Sequence, residues 1–190
     1  MAQGNWEKLP AFAKRGGLLD VVIETPKGSR NKYSFDSELG LFRLKKVLPA
    51  GAVFPFDFGF IPSTEGDDGD PLDVLLLMDE PAFTGCLVEA RLLGVMEASQ
   101  SKRGKKIRND RFIASASKMK PLCNIGSVKG LNGELLEQLE HFFVSYNKAE
   151  GKEFRLLRIS DEPVARKLIE AGCHRFRTKK RVSSETKGMA

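Results

Sequence analysis

Four aspartates, Asp67, Asp68, Asp70 and Asp73, crowd the stretch TEGDDGDPLDVLLLM, Thr64 to Met78. Gly69 permits a positive φ, and Pro71 fixes its own φ and removes a donor, so the segment reads as a tight turn at the mouth of a strand. Carboxylates held this close repel one another and drive at least one pKa upward unless a cation neutralises them. Hard oxygen ligands on a short loop suit Mg²⁺ or Mn²⁺. Mg²⁺ keeps several waters and shares oxygens with a substrate phosphate. An EF-hand does not fit, because the spacing lacks that loop's twelfth-position Glu. The plain alternative is a solvated acidic turn. Against it stands Val74 to Leu77, an apolar run that anchors the acids to a buried strand.

The elements around this turn are mostly short strands. Leu18 to Ile23 is β-rich, with Glu24 at its end. The turn TPKGSRN then leads into KYSFD, the second strand of a hairpin that presents Lys32 and Ser34 on one face. Leu39 to Leu48 contains a further strand with Lys45 and Lys46 near its end. Phe54, Phe56, Phe58 and Phe60 recur at period two, the pattern of a core face, interrupted by Pro55 and Gly59 and by the odd acid Asp57. Strands follow at Val74 to Met78, Leu87 to Met96 and Arg111 to Ser115. From Asn132 the period changes, with Leu135, Leu139, Phe142, Phe143 and Tyr146 at helical spacing up to Gly151. A strand at Phe154 to Ile159 leads to a last amphipathic helix opened by Ser160 or Asp161, with Pro163 in its first turn. Strands first and helices last give an α+β class: a small closed or nearly closed β-barrel with helices packed outside.

With 190 residues, 41% hydrophobic and 29% charged, the chain has the balance of one globular domain, and nothing in its composition suggests disorder over most of the length. Residues 1–17 read as an N-terminal extension and 180–190 as a flexible tail. The net charge of +6 is concentrated in Ser101 to Arg111 and His174 to Val182. The second stretch suits a helix end, and the first reads as a loop that is either simply solvated or able to bind a polyanion. Cys86, Cys123 and Cys173 form no metal or redox pattern and imply free thiols in a reducing compartment. No stretch approaches a membrane span and no signal-peptide core opens the chain, so a cytoplasmic protein without a membrane partner is expected.

In order and spacing, VVIETPKGSRNKYSFD, FPFDFGFIPST, GDDGDPLDVLLL and HFFVSY resemble the soluble family I inorganic pyrophosphatases, whose D-x-D-P-x-D signature the aspartate turn matches. The similarity runs from about Val21 to the end. It implies an OB-type five-stranded β-barrel with two flanking C-terminal helices, several Mg²⁺ ions with Mn²⁺ as a substitute, and hydrolysis of pyrophosphate to two phosphates. In that family metals bind the turn aspartates and polarise a water for in-line attack on phosphorus, while cations absorb charge on the equatorial oxygens. The resemblance implies that Asp68 and Asp73 are metal ligands and that Asp70 accepts a proton from the attacking water and touches metal. It also implies that Glu24 lies near an outer metal and that Lys32, Lys46, Arg111 and Tyr146 contact substrate. Family members form compact homo-oligomers, with bacterial ones often hexameric.

Several positions depart from the family. Ser34 stands for a usual Glu, Lys46 for Arg, Phe54 and Phe58 for tyrosines, Asp57 for Asn, and Asn147 for Lys. Between Met96 and Phe112 the family's D-x-K reads Asn109-Asp110-Arg111, and its earlier acid falls near Gln100. Two registers are open there. One leaves Asn109 at the metal; a one-residue slip, repaired by a bulge, makes Asp110 a metal ligand instead. The expected function is Mg²⁺-dependent pyrophosphate hydrolysis. One alternative is a divergent phosphohydrolase acting on another phosphoanhydride. The other is a non-catalytic OB-type binder using Lys102 to Arg111 on nucleic acid, which three acids on the same face would disfavour.

Overall fold

The computed structural model describes residues 9–13, 17–102, 104–117 and 126–187. In chain order the elements are β1 (Leu19–Thr25), β2 (Asn31–Asp36), β3 (Leu41–Val47), β4 (Asp57–Ile61), β5 (Leu72–Leu77), β6 (Leu87–Lys102), β7 (Lys105–Arg108), β8 (Arg111–Ala116), α1 (Gly133–Lys148), β9 (Glu153–Asp161) and α2 (Glu162–Lys187). Strands β1, β4 and β8 are buried along their whole length and β5 nearly so. Strands apolar on both faces must be covered on both, and a ring of strands with outer helices does this.

The ring closes through the pairings β1–β4, β4–β5, β5–β8, β8–β6 and β6–β1, which makes the five-stranded barrel that the resemblance implies. All are antiparallel except β5–β8. Alternation along β5 divides its side chains between two cores. Val74 and Leu76 join Ala165 and Ile169 of α2, and Leu75 and Leu77 join Leu139 and Phe143 of α1.

Four sequence expectations change. β2 pairs with β3 in a ribbon of its own, not with β1, because β1 spends both edges on β4 and β6. β1 reaches β2 through a side chain instead: Tyr33 N donates to Thr25 Oγ1 at 3.0 Å, and that hydroxyl donates to Tyr33 O. The basic stretch after Ser101 is largely a β6–β7 hairpin, and β6 extends to Lys102, where β9 pairs along its outer half. Finally, α2 runs to Lys187, into the stretch read as a tail. Cys123 lies outside the described residues, and Cys86 and Cys173 are free. Among the described residues no helix is long and apolar enough to cross a membrane.

Candidate active site

The acidic turn leaves β4 and re-enters at β5. Buried Thr64 closes its base, donating to Ile61 O and accepting from Leu72 N at 3.0 Å. Gly66 N donates to Asp70 O at 2.7 Å, Asp70 N donates to Asp68 Oδ1 at 3.2 Å, and Gly69 takes φ +89°, as its place in the sequence suggests. Helix α2 clamps the turn from outside. Glu65 N donates to Gly172 O at 3.1 Å, and Arg175 Nε donates to Glu65 O at 2.8 Å. A β-carbon on Gly172 would stand 2.7 Å from Leu72 Cδ1, so the absent side chain lets the helix approach.

Glu24, Lys32, Lys46, Asp68, Asp70, Asp73, Arg111 and Tyr146 all line one cleft of about 820 Å³. Glu24, at the end of β1, accepts from Lys32 Nζ at 3.0 Å and from Phe35 N at 2.8 Å. Lys32 lies 4.2 Å over the Phe58 ring, so the Phe stripe that reads as core also carries a cleft cation. Lys46 lies 3.5 Å over the Tyr146 ring and pairs with Glu150. Arg111 pairs with Asp73 at 2.6 Å, and its guanidinium sits 5.2 Å from the Phe143 ring centre. Its Nε is buried and has no hydrogen-bond partner among the described residues, which leaves donor capacity for an anion.

Asp110 is the exception. It lies outside this cleft, accepting from Ala98 N at 3.0 Å and from Arg108 Nε at 2.7 Å. Arg111 begins β8 opposite Met96, and that register turns Asn109 and Arg111 to the cleft and the intervening residue away. The unslipped register is therefore the one adopted. Asn109 Nδ2 donates to Gln100 Oε1 at 3.0 Å, and Asn109 Oδ1 accepts from Arg111, so the two amides bind each other on the cleft wall. Behind them, buried Glu97 accepts from Arg158 and Arg108, each at 2.6 Å, and from Ser160. Hydrogen bonding to Arg158, to Ser160 and to Arg108 outweighs burial and holds its carboxyl down to about 2.

Burial, followed by the charge of Asp73, pushes the carboxyls of both Asp68 and Asp70 above the usual range. Such carboxylates gain when a cation enters among them. Among the described residues no three acids, histidines or cysteines form a ready-made cage. This donor set therefore fits a hard divalent ion held by one or two carboxylates, with waters or substrate oxygens as its remaining ligands.

Among the cleft residues that escape sequence reasoning are Glu150 and Lys152. They follow α1, where buried Asn147 donates to Phe143 O at 2.8 Å, and its own carbonyl accepts from Glu150 N and Lys152 N. The available signal was a Glu-Gly-Lys step just past a helix end. Asp57 is structural: it is buried and joins two turns by accepting from Lys27 N at 2.7 Å and Ala82 N at 2.9 Å.

Residues 21–177 match the family model described as inorganic pyrophosphatase. The chain is 37% identical to the inorganic pyrophosphatase of Synechocystis sp. over 86% of this chain and 94% of that one. It is 40% identical to that of Leifsonia xyli over 80% and 92%. The crystal structure of inorganic pyrophosphatase from Thermus thermophilus superposes with a TM-score of 0.82 at 31% identity, covering 91% of this chain and 99% of that one.

Proposed function

Since the chain belongs to the inorganic pyrophosphatase family, we propose that it hydrolyses inorganic pyrophosphate to two phosphates with Mg²⁺ as cofactor and Mn²⁺ as a substitute. The observation that carries the reading is the convergence of Asp68, Asp70 and Asp73 with Lys32, Lys46 and Arg111 on one cleft. Asp68 and Asp73 would hold the metal, with Glu24 near its outer side. Bound there, Mg²⁺ neutralises phosphate charge and lowers the pKa of a water. Asp70 accepts the proton that the attacking water releases, a role helped by its raised pKa. Lys32, Lys46 and Arg111 take the phosphate oxygens, and the orphan Arg111 Nε is the donor best placed to gain. Tyr146 contributes a hydroxyl that burial keeps protonated, so it donates to the substrate.

The Gln100–Asn109 amide pair favours a second reading, slow hydrolysis of pyrophosphate and preference for another phosphoanhydride, because fewer acids hold less metal. The free thiols fit a reducing, cytoplasmic setting. Leu41, Leu44 and Val47, exposed on the β3 ribbon, support a homo-oligomer, a hexamer being the family's bacterial precedent; light scattering on the eluted protein tests this.

The deciding experiment is phosphate release from pyrophosphate against Mg²⁺ and Mn²⁺ concentration, with Asp70→Asn as control. Metal-dependent release that the variant loses supports pyrophosphate hydrolysis. Release from nucleoside triphosphate or tripolyphosphate with none from pyrophosphate would support the second reading.

A further inference from the structure

Glu150 lies between two cleft ammonium groups. Its Oε1 meets Lys46 Nζ and its Oε2 meets Lys152 Nζ, the latter at 2.9 Å. One carboxylate bridging two ammonium groups on the wall of a cleft is the arrangement that a phosphate group would make there. We propose that Glu150 is a resident stand-in for a substrate phosphate, and that Lys46 and Lys152 pass from its carboxylate to the phosphate when substrate enters. Lys152 is then a substrate-binding residue. The inference deepens the pyrophosphatase reading and rests on it.

The local structure holds the three groups in place without sealing them. The turn is fixed by the Asn147 carbonyl, which accepts from Glu150 N at 2.9 Å and Lys152 N at 3.0 Å. Lys46 is braced against the Tyr146 ring. The side chains of Lys46, Glu150 and Lys152 are 25%, 26% and 28% exposed, open enough for an anion to reach and covered enough for their charges to matter. Without Glu150, Lys46 would be a half-buried cation whose charge burial already disfavours. The carboxylate keeps both lysines charged and aimed while the cleft is empty.

A bridging carboxylate must be displaced, so it lowers affinity for every anion that uses the two lysines. It also re-forms as product leaves, which speeds phosphate release. Glu150→Gln removes the competitor and keeps the side chain's shape.

The test is calorimetric titration of methylenediphosphonate, a non-hydrolysable analogue of pyrophosphate, and of inorganic phosphate in the presence of Mg²⁺. Wild type, Glu150→Gln, Lys152→Gln and the double variant are compared, with thermal melts to confirm folding. Glu150→Gln is expected to bind both anions about three- to tenfold more tightly. Its KM and its inhibition constant for phosphate should fall by similar factors. Lys152→Gln is expected to bind both more weakly, and the gain from Glu150→Gln should shrink in the double variant. If Glu150 only staples the turn, Glu150→Gln binds more weakly or the same, and the inference is overturned. Unchanged binding in Lys152→Gln overturns it equally. Wild type that hydrolyses pyrophosphate while Glu150→Gln fails to tighten condemns this inference alone. Wild type that neither hydrolyses pyrophosphate nor binds the analogue condemns both readings.

Discussion

Asp73→Asn separates the metal role of the acidic turn from its structural role. As a turn-end acid Asp73 would contribute little to stability, yet it is the carboxylate that pairs with Arg111, whose side chain is only 5% exposed. Removing one partner from a fully buried pair costs about 3–5 kcal/mol. Asp73 is 24% exposed, and Asn109 Oδ1 and the Asp110 carbonyl still accept from Arg111. Those two facts bring the expected cost to about 1–2 kcal/mol. A domain stable by about 5–15 kcal/mol stays folded, with Tm lowered by about 2–8 °C. Activity should suffer far more. A catalytic cation stabilises a transition state by several kcal/mol, so phosphate release should fall about a hundredfold or more. The assay is phosphate release across a Mg²⁺ titration beside thermal melts. Adding Arg111→Gln should recover part of the lost Tm and none of the activity. Activity that falls only in proportion to the unfolded fraction would refute the metal role, and an unchanged Tm would refute the ion pair's structural weight.

Further expectations concern the groups around the turn. Glu97 is held down to about 2 from an ordinary 4.5, so its contribution is complete above pH 4.5 and is lost as pH falls towards 2. The shift sets a ceiling of about 3 kcal/mol, and exposure of Arg108 and Arg158 reduces it to about 1–2. Urea unfolding of Glu97→Gln should show that deficit at pH 7 and a shrinking one below pH 4.5; a deficit independent of pH would exclude the ionic origin. Lys32→Ala should raise the KM for pyrophosphate about tenfold or more, and an unchanged KM would remove Lys32 from substrate binding. Gly172→Val should force α2 off the acidic turn, cost about 1–3 kcal/mol and weaken the response to Mg²⁺; a wild-type melt and titration would mean that the close approach is dispensable.

The aspartate turn was legible because its chemistry is local: repelling acids, a Gly at positive φ and a following apolar strand all lie in one stretch. Arg111, Lys32 and Lys46 were legible only through family resemblance, since nothing in their own surroundings says that they meet. Asp110 lies outside the main cleft for a related reason. Charge alone favours it over Asn109 as a metal ligand, but the register of β8 against β6 sets which side chain faces the cleft. The β1–β2 hairpin failed because turn residues announce a reversal without saying which strand edge is free, and both β1 edges are taken. Glu150 and Lys152 depend on the path of the chain after α1, which helical periodicity does not describe.

The parallel β5–β8 pair fixes when the cleft can come into being. Val74 faces Phe112 across it, and one step earlier stand Asp73 and Arg111, the acid and the cation that neutralises it. All of β6 and β7 lies between those strands in the sequence, and a parallel pairing across so long a connection forms slowly, after local structure. A growing or partly refolded chain can therefore display the clustered acids while their counter-charge is still unplaced. Recovery of phosphate release during refolding should accordingly follow ring closure and lag behind the appearance of helix α1, whose backbone hydrogen bonds are local.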